Sequence, residues 1–289
     1  MHPRNRFRAG YDFSHLIGRS PALADFVKAA PHGRPSIDFA DPHAVLALNQ
    51  ALLAEAYGLS WSLPRGALCP PIPGRSDYLH YLADLLSNGD DAAIPRGRGV
   101  RILDIGSGAN AVYPIVGASE YGWSFVATEI DQTAMRWARQ VVRINKAIAP
   151  LIEHRLQTNP LACFAGVTKA GERFDASMCN PPFHASAEEA AASSLRKRKN
   201  LELRNAEPLN FGGAANELWC AGGEIGFIER MIAESAARPT LCRWFTTLVS
   251  RSENLPRLRK SLKRVDAAKV KTIDMAQGHK KSRILAWTF

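Results

Sequence analysis

The chain has 289 residues, 46% hydrophobic and 22% charged, and no apolar run long enough for a membrane span, so we expect a globular protein outside the membrane. Its five cysteines and eight histidines show no metal-ligand spacing, so we expect reduced cytosolic thiols, a cytoplasmic protein and no metal. The net charge of +10 indicates a polyanionic partner, most simply a nucleic acid.

The first 95 residues are punctuated by proline and glycine and predict a mainly helical accessory module. Asp41 is placed to cap a helix that has Pro42 at its first position and leucines on one side. A second helix is predicted from Ser76 or Asp77 to Leu86. We therefore divide the chain into a module of residues 1–95 and a second domain of residues 96–289.

From residue 100 onward, apolar strands alternate with amphipathic helices. This order is typical of an α/β protein with a doubly wound, mostly parallel sheet. Residues 184–223 fit neither period and predict a long functional loop. Strands are predicted at 100–105, 123–128, 151–156, 174–179, 242–249, 269–273 and 283–289, and helices at 111–121, 132–145, 224–236 and 255–265.

A glycine-rich turn follows the first of these strands. Ligands of doubly wound sheets bind beyond the carboxyl ends of the strands, and Gly106 and Gly108 allow a ligand to approach the backbone there. A dinucleotide-binding turn would have glycine where this chain has Ala111, which argues against a pyrophosphate. Glu129, at the end of the next strand, is placed to accept hydrogen bonds from a ribose diol. Asp104 precedes the turn and is a further candidate for binding the cofactor.

The strand at 174–179 runs into Asn180-Pro181-Pro182-Phe183, a turn suited to methylating an exocyclic amine. The lone pair of such an amine is delocalised into the ring, so the site must favour a pyramidal nitrogen. The Asn180 side-chain oxygen and the Pro181 carbonyl can accept both amine protons, and Phe183 can stack on the base. Together with the glycine turn, this predicts a methyltransferase that uses S-adenosylmethionine as its cofactor.

The chain resembles the bacterial ribosomal RNA large subunit methyltransferase F family and, more distantly, human methyltransferase-like 16. The segments that carry the resemblance run nearly from end to end. They include residues 2–6, 45–49, 70–75, 103–106, 180–184, 210–213, 217–220, 222–224, 248–251, 276–278 and 286–289.

The resemblance implies a class I methyltransferase fold with a Rossmann-like, mostly parallel seven-stranded sheet. It implies transfer of a methyl group from S-adenosylmethionine to N6 of one adenine in 23S rRNA. It also implies that Arg75 reaches the cofactor carboxylate and that Arg4 and Arg6 contact RNA. His184, Lys197 and Lys199 are further candidates for RNA contacts, and residues 210–217 for a segment over the active site.

Alternatives remain within and outside this enzyme class. Asn-Pro-Pro-aromatic turns also serve methylation of guanine N2 in rRNA, of DNA adenine and of protein glutamine. A non-catalytic RNA-binding protein is disfavoured because Gly106, Gly108, Glu129 and Asn180 are all present. The expected partner is 23S rRNA or a large-subunit assembly intermediate. We expect a monomer, since no feature indicates an extensive apolar interface.

Overall fold

The computed structural model of the protein describes residues 1–29, 33–189, 218–277 and 280–289. In the N-terminal part, a short helix and a two-stranded antiparallel hairpin, neither of which we predicted, precede two longer helices. These elements are α1 (Phe13–Arg19), β1 (Val27–Ala29), β2 (Pro35–Ile37), α2 (Pro42–Tyr57) and α3 (Ile72–Leu86). Within the described ranges, no helix is long and apolar enough to cross a membrane.

The two longer helices differ in how well their starts were predicted. The cap of α2 is confirmed, because the Asp41 side chain accepts a hydrogen bond from the His43 N–H at 2.8 Å and Pro42 follows it. The predicted start of α3 is wrong. This helix begins at Ile72, because a proline in the first turn loses no intrahelical hydrogen bond. Arg75 therefore lies on the helix and not on a turn before it.

The rest of the chain alternates strands and helices as predicted. The strands are β3 (Arg101–Ile105), β4 (Ser124–Glu129), β5 (Ile152–Leu156), β6 (Phe174–Cys179), β7 (Cys242–Val249), β8 (Lys269–Gln277) and β9 (Lys280–Thr288). The helices are α4 (Val112–Tyr121), α5 (Gln132–Ile144), α6 (Gly223–Ala236) and α7 (Leu255–Arg264). The last two strands are longer than predicted and pair with each other from Lys269–Thr288 to Gln277–Lys280.

Seven strands form one sheet in the order β5-β4-β3-β6-β7-β9-β8. The five strands β3 to β7 are parallel, and β9 runs antiparallel to both of its neighbours, β7 and β8. The predicted fold, a mostly parallel seven-stranded sheet of the class I methyltransferase type, is confirmed. Because β3, β4 and β6 are parallel neighbours, the segments that follow them meet at one edge of the sheet.

Alternate residues of the strands face two hydrophobic layers. Ile102 packs into one layer together with residues of α2, α3 and α4. Leu103 packs into the other layer, with residues of α6, α7 and β7. The layer around Ile102 begins at Phe7, so the N-terminal helices share a core with the sheet. The boundary at residue 95 stays a prediction, and the packing across it is continuous.

Candidate active site

A cavity of about 410 Å³ opens at the carboxyl edge of the sheet. Its wall combines the turn after β3, the end of β4 and the turn after β6, the three places that the sequence singled out. The predicted residues on this wall are Arg75, Gly106, Gly108, Glu129, Asn180 and Pro182. The parallel strand order brings these side chains together although they lie up to 107 positions apart, from Arg75 to Pro182.

The turn after β3 leaves room for a ligand. Gly106 and Gly108 have φ angles of 74° and 63°, the left-handed region that glycine adopts without strain. A Cβ atom placed on Gly106 would meet no other atom within 4 Å, so the space beside it is open. Ala111, where we expected the departure from a dinucleotide turn, also has a left-handed φ of 47°. Ala111 directly precedes α4 as its N-cap, at a position where glycine would be less strained.

Glu129 is held in place by backbone N–H groups. One carboxylate oxygen accepts a hydrogen bond from Gly108 at 2.8 Å, and the other accepts from Ile130 and Asp131 at 2.8 and 2.9 Å. The side chain is buried, yet it lines the cavity. These bonds fix the carboxylate at the rim of the glycine turn. A ribose diol at this rim would meet a preoriented acceptor.

Asp104 lies directly under the wall of the cavity. It is fully buried, and neither of its carboxylate oxygens has a hydrogen-bond partner within the described part of the chain. Burial, together with the nearby Glu129, raises the pKa of Asp104 to about 8, while Arg75 opposes the shift. Burying a carboxyl group that has no hydrogen-bond partner destabilises the folded protein, unless a bound ligand supplies the partner. A ligand with an ammonium group would satisfy it.

Arg75 offers the complementary charge. Its guanidinium donates a hydrogen bond to the Tyr113 hydroxyl at 2.8 Å and lies 5.5 Å from the centre of that ring. Within the described ranges, no carboxylate forms an ion pair with it, although it lines the cavity. An arginine and a buried aspartate near one cavity suit the carboxylate and the ammonium of an amino-acid group. The residues therefore fit the methionine part of S-adenosylmethionine.

Asn180 carries an acceptor into the same cavity. Its side-chain oxygen is buried and has no hydrogen-bond partner among the residues that the structure describes. Asn180 and Pro182 line the cavity, Pro181 is buried, and Phe183 is half-buried outside the lining. An amide oxygen that is shielded from water and unpaired can accept a hydrogen bond from a bound amine.

The turn is tied to a later part of the chain by a backbone bridge. His184 pairs with Trp219: its N–H donates to Leu218 at 3.1 Å, and its carbonyl accepts from Cys220 at 3.0 Å. The His184 side chain lies 3.8 Å from the Glu189 carboxylate. His184 thus has a structural role at the cavity mouth, and its contact with RNA stays a prediction.

Part of the lining was missed by sequence reasoning. It comes from the segment after β5, from the far side of the His184 bridge and from α6, namely Gln157, residues 160–163 and 219–221, Phe227 and Arg230. The segment after β5 could have been found, because it follows a parallel strand that ends at the same edge. Residues 219–221 fall within the predicted loop at 184–223, but no local signal places them at the cavity. Their position depends on the pairing of Trp219 with His184, 35 residues away in sequence.

The predicted RNA contacts at the N-terminus are engaged within the protein. Arg4 forms ion pairs with Asp84 and Asp91. Arg6 pairs with Glu120 at 2.8 Å and has a half-exposed side chain. These arginines hold the N-terminus on the helices, and their contact with RNA stays a prediction. Lys197, Lys199 and residues 210–217 lie outside the described residues. Among the ranges described, no cluster of side chains could hold a metal ion.

Comparison with known proteins decides the family. A family model described as RNA methyltransferase matches residues 1–289. This chain belongs to that family. It is 54% identical to ribosomal RNA large subunit methyltransferase F of Methylobacillus flagellatus, over all of this chain and 91% of the relative. It is 53% identical to the protein of the same name from Pectobacterium carotovorum, over all of this chain and 93% of the relative.

Solved structures of human METTL16 share the fold over the whole chain. The catalytic domain in complex with a MAT2A 3'UTR hairpin superposes with a TM-score of 0.84 at 31% identity, covering 100% of this chain and 95% of the other. The N-terminal domain in complex with SAH gives 0.78 at 30% identity, covering 100% and 98%. The resemblance inferred from sequence is confirmed. The chain is an S-adenosylmethionine-dependent RNA methyltransferase.

Proposed function

We propose that this RNA methyltransferase transfers a methyl group to the exocyclic N6 of one adenine in 23S rRNA. The observation that carries the proposal is the buried, unpaired side-chain oxygen of Asn180 at the wall of the cavity. An acceptor in this position needs an N–H donor from the substrate, and the adenine amine offers two. The relatives named for the large ribosomal subunit support rRNA as the substrate.

The chemical task of the protein is to place the amine. S-adenosylmethionine supplies an activated methyl group when it is bound. Asn180 and the Pro181 carbonyl accept the two amine protons, which pulls the nitrogen lone pair out of conjugation and aims it along the cavity. The φ of each proline is fixed by its ring, so little reorganisation is needed on binding. Most of the rate enhancement then comes from positioning, and no general base is required before transfer.

The cofactor is held by groups of both charges. Arg75 binds its carboxylate, Asp104 receives its ammonium group, and Glu129 receives the ribose hydroxyls. Gly106 and Gly108 let the ligand lie close to the backbone. This assignment uses the unpaired atoms of Asp104 and the open space beside Gly106. It leaves Asn180 facing the site of transfer.

We further propose that residues 1–95 form the main RNA-binding module, with Arg4 and Arg6 as phosphate contacts. Arg6 is the better placed of the two, because half of its side chain is exposed. Arg4 would have to exchange its bonds with Asp84 and Asp91 for phosphate. His184, Lys197 and Lys199 complete the proposed contacts, and Phe183 the stacking surface for the base. The protein acts as a monomer in the cytoplasm, on 23S rRNA or a large-subunit assembly intermediate.

The test is methyl transfer from labelled S-adenosylmethionine to rRNA from cells that lack this protein, followed by digestion to nucleosides and mass spectrometry. We expect N6-methyladenosine in 23S rRNA with the wild-type protein. With Asn180→Ala, we expect no transfer but RNA affinity within a few fold of wild type. A methylated guanosine would overturn the choice of base. Equal loss of transfer and RNA affinity in Asn180→Ala would overturn the role of that residue.

A further inference from the structure

Tyr78 is completely buried in the core beneath the catalytic turn, and its hydroxyl has two partners there. It lies 2.8 Å from the Thr246 hydroxyl of β7 and 3.4 Å from the backbone nitrogen of Cys179, the residue before Asn180. The Thr246 hydroxyl also lies 2.7 Å from the Ser177 carbonyl of β6. Three groups of β6 and β7 are thus joined through one side chain of α3.

The direction of each hydrogen bond in this chain is determined. The Cys179 N–H can only donate, so the Tyr78 oxygen accepts from it. The Ser177 carbonyl can only accept, so the Thr246 hydroxyl donates its hydrogen bond to this carbonyl. The Tyr78 hydroxyl must then donate to Thr246. Burial raises the pKa of Tyr78 well above its ordinary value, so the hydroxyl keeps the proton that this order requires.

These bonds lie where the backbone pairing of the two strands stops. The register of β6 on β7 runs from Phe174–Cys242 to Ser177–Phe245, two residues before the end of β6. On its other side, β6 remains paired with β3 up to Ile105–Cys179. The hydroxyls of Tyr78 and Thr246 therefore continue the hydrogen bonding of β6 beyond the ladder. They fix the position of Cys179, the residue directly before Asn180.

The same helix also reaches the cofactor side of the cavity. Arg75 lies three positions before Tyr78, one turn away on the same face of α3. Tyr113, whose hydroxyl accepts from Arg75, packs its ring edge-on against Tyr78, with centroids 5.4 Å apart at 84°. One rigid helix thus touches the wall of the cofactor cavity and the strand that carries the catalytic turn.

We propose that Tyr78 is a positioning residue for methyl transfer, which acts through Thr246 and Cys179 to set the place of Asn180. The inference rests on the proposed role of Asn180. Loss of the Tyr78 hydroxyl would leave the cofactor and RNA contacts in place. It would release the end of β6, and a misplacement of about 1 Å between reacting groups can cost about a hundredfold in rate.

The test compares Tyr78→Phe with Tyr121→Phe. Tyr121 is also buried, and its hydroxyl bonds to His80 at 2.6 Å, away from the catalytic turn. We expect kcat to fall by at least about tenfold in Tyr78→Phe and to stay within about twofold in Tyr121→Phe. The KM for S-adenosylmethionine should stay within about threefold of wild type in both variants, since neither hydroxyl lines the cavity. The RNA affinity of Tyr78→Phe should also stay within about threefold of wild type.

A second pair of variants keeps the proposal testable if Tyr78→Phe does not fold. Thr246→Val removes the middle hydroxyl with nearly the same shape and should lower kcat as Tyr78→Phe does. Thr246→Ser keeps the hydroxyl, and its kcat should be close to that of the wild type. An unchanged kcat in Thr246→Val, or an equal fall in Tyr121→Phe, would overturn the proposal. If Asn180→Ala transfers methyl groups as well as the wild type, the role assigned to Asn180 fails instead.

Discussion

Binding of the cofactor is expected to release a proton from Asp104. With its pKa raised to about 8 by burial, this carboxyl is protonated in about 0.9 of the molecules at pH 7. An ammonium group at about 3 Å and an effective dielectric constant of about 20 attracts the carboxylate by about 5.5 kcal/mol, or about 4 pKa units. This is enough to return the pKa to about 4, so the proton leaves when the cofactor binds.

Calorimetry measures this release directly. S-adenosylhomocysteine carries the same amino group and can be titrated at pH 7 in buffers of different ionisation enthalpy. We expect about 0.9 proton released by the wild type and about none by Asp104→Asn. The ratio of wild-type to variant affinity should rise about fivefold from pH 7 to pH 8, as the cost of removing the proton disappears. Tight binding by the wild type without proton release would refute this account, in which a protonated Asp104 ionises to hold the ammonium group.

Two further predictions concern stability. The buried Glu224 accepts 2.6 Å hydrogen bonds from the Ser250 N–H and from a side-chain amide, so Glu224→Ala should lower the free energy of unfolding in urea by about 2–3 kcal/mol. Glu229→Ala, which removes a mainly exposed ion pair, should cost less than about 1 kcal/mol, and equal losses would contradict this account. Burial lowers the pKa of His80 to about 3 and of His154 to about 4, so both must gain a proton on unfolding below pH 6.5. Their contribution to the free energy of unfolding is therefore complete above pH 6.5. As the pH falls towards 4, the free energy of unfolding decreases by up to about 2.7 kcal/mol per pH unit for the two histidines together. His154→Asn should halve that contribution in urea titrations at pH 6.5 and 5, and an unchanged slope would contradict the pKa.

The sequence predicts those parts of the site that come directly after a recognisable apolar strand. Gly106, Glu129 and Asn180 each come directly after an apolar run, and the rule that parallel strands end at one edge brings them together. The same rule covers Gln157, which we overlooked. Its strand, β5, lies at the edge of the sheet and has the polar residues Glu153, His154 and Arg155 between Ile152 and Leu156, so its apolar signal is weaker.

Other features depend on partners that no local pattern reveals. The sequence shows Tyr78 as one apolar position of an amphipathic helix, whereas its hydroxyl partner Thr246 lies 168 residues away. In the sequence, Arg4 and Arg6 form a basic cluster at the N-terminus. Their carboxylate partners, Asp84 and Glu120, come from two different helices. Charge patterns in a sequence predict the sign of a surface only when the ion pairs of the folded chain are known.

The placement of α3 changes how the N-terminal part relates to catalysis. This helix belongs to the segment that we assigned to RNA binding, yet it supplies Arg75 to the cofactor cavity and Tyr78 to the strand before Asn180. Its apolar side packs in the same hydrophobic layer as Ile102 of the central strand. Since a rigid helix moves as one body, a force that RNA exerts on residues 1–95 would reach both sides of the active site together.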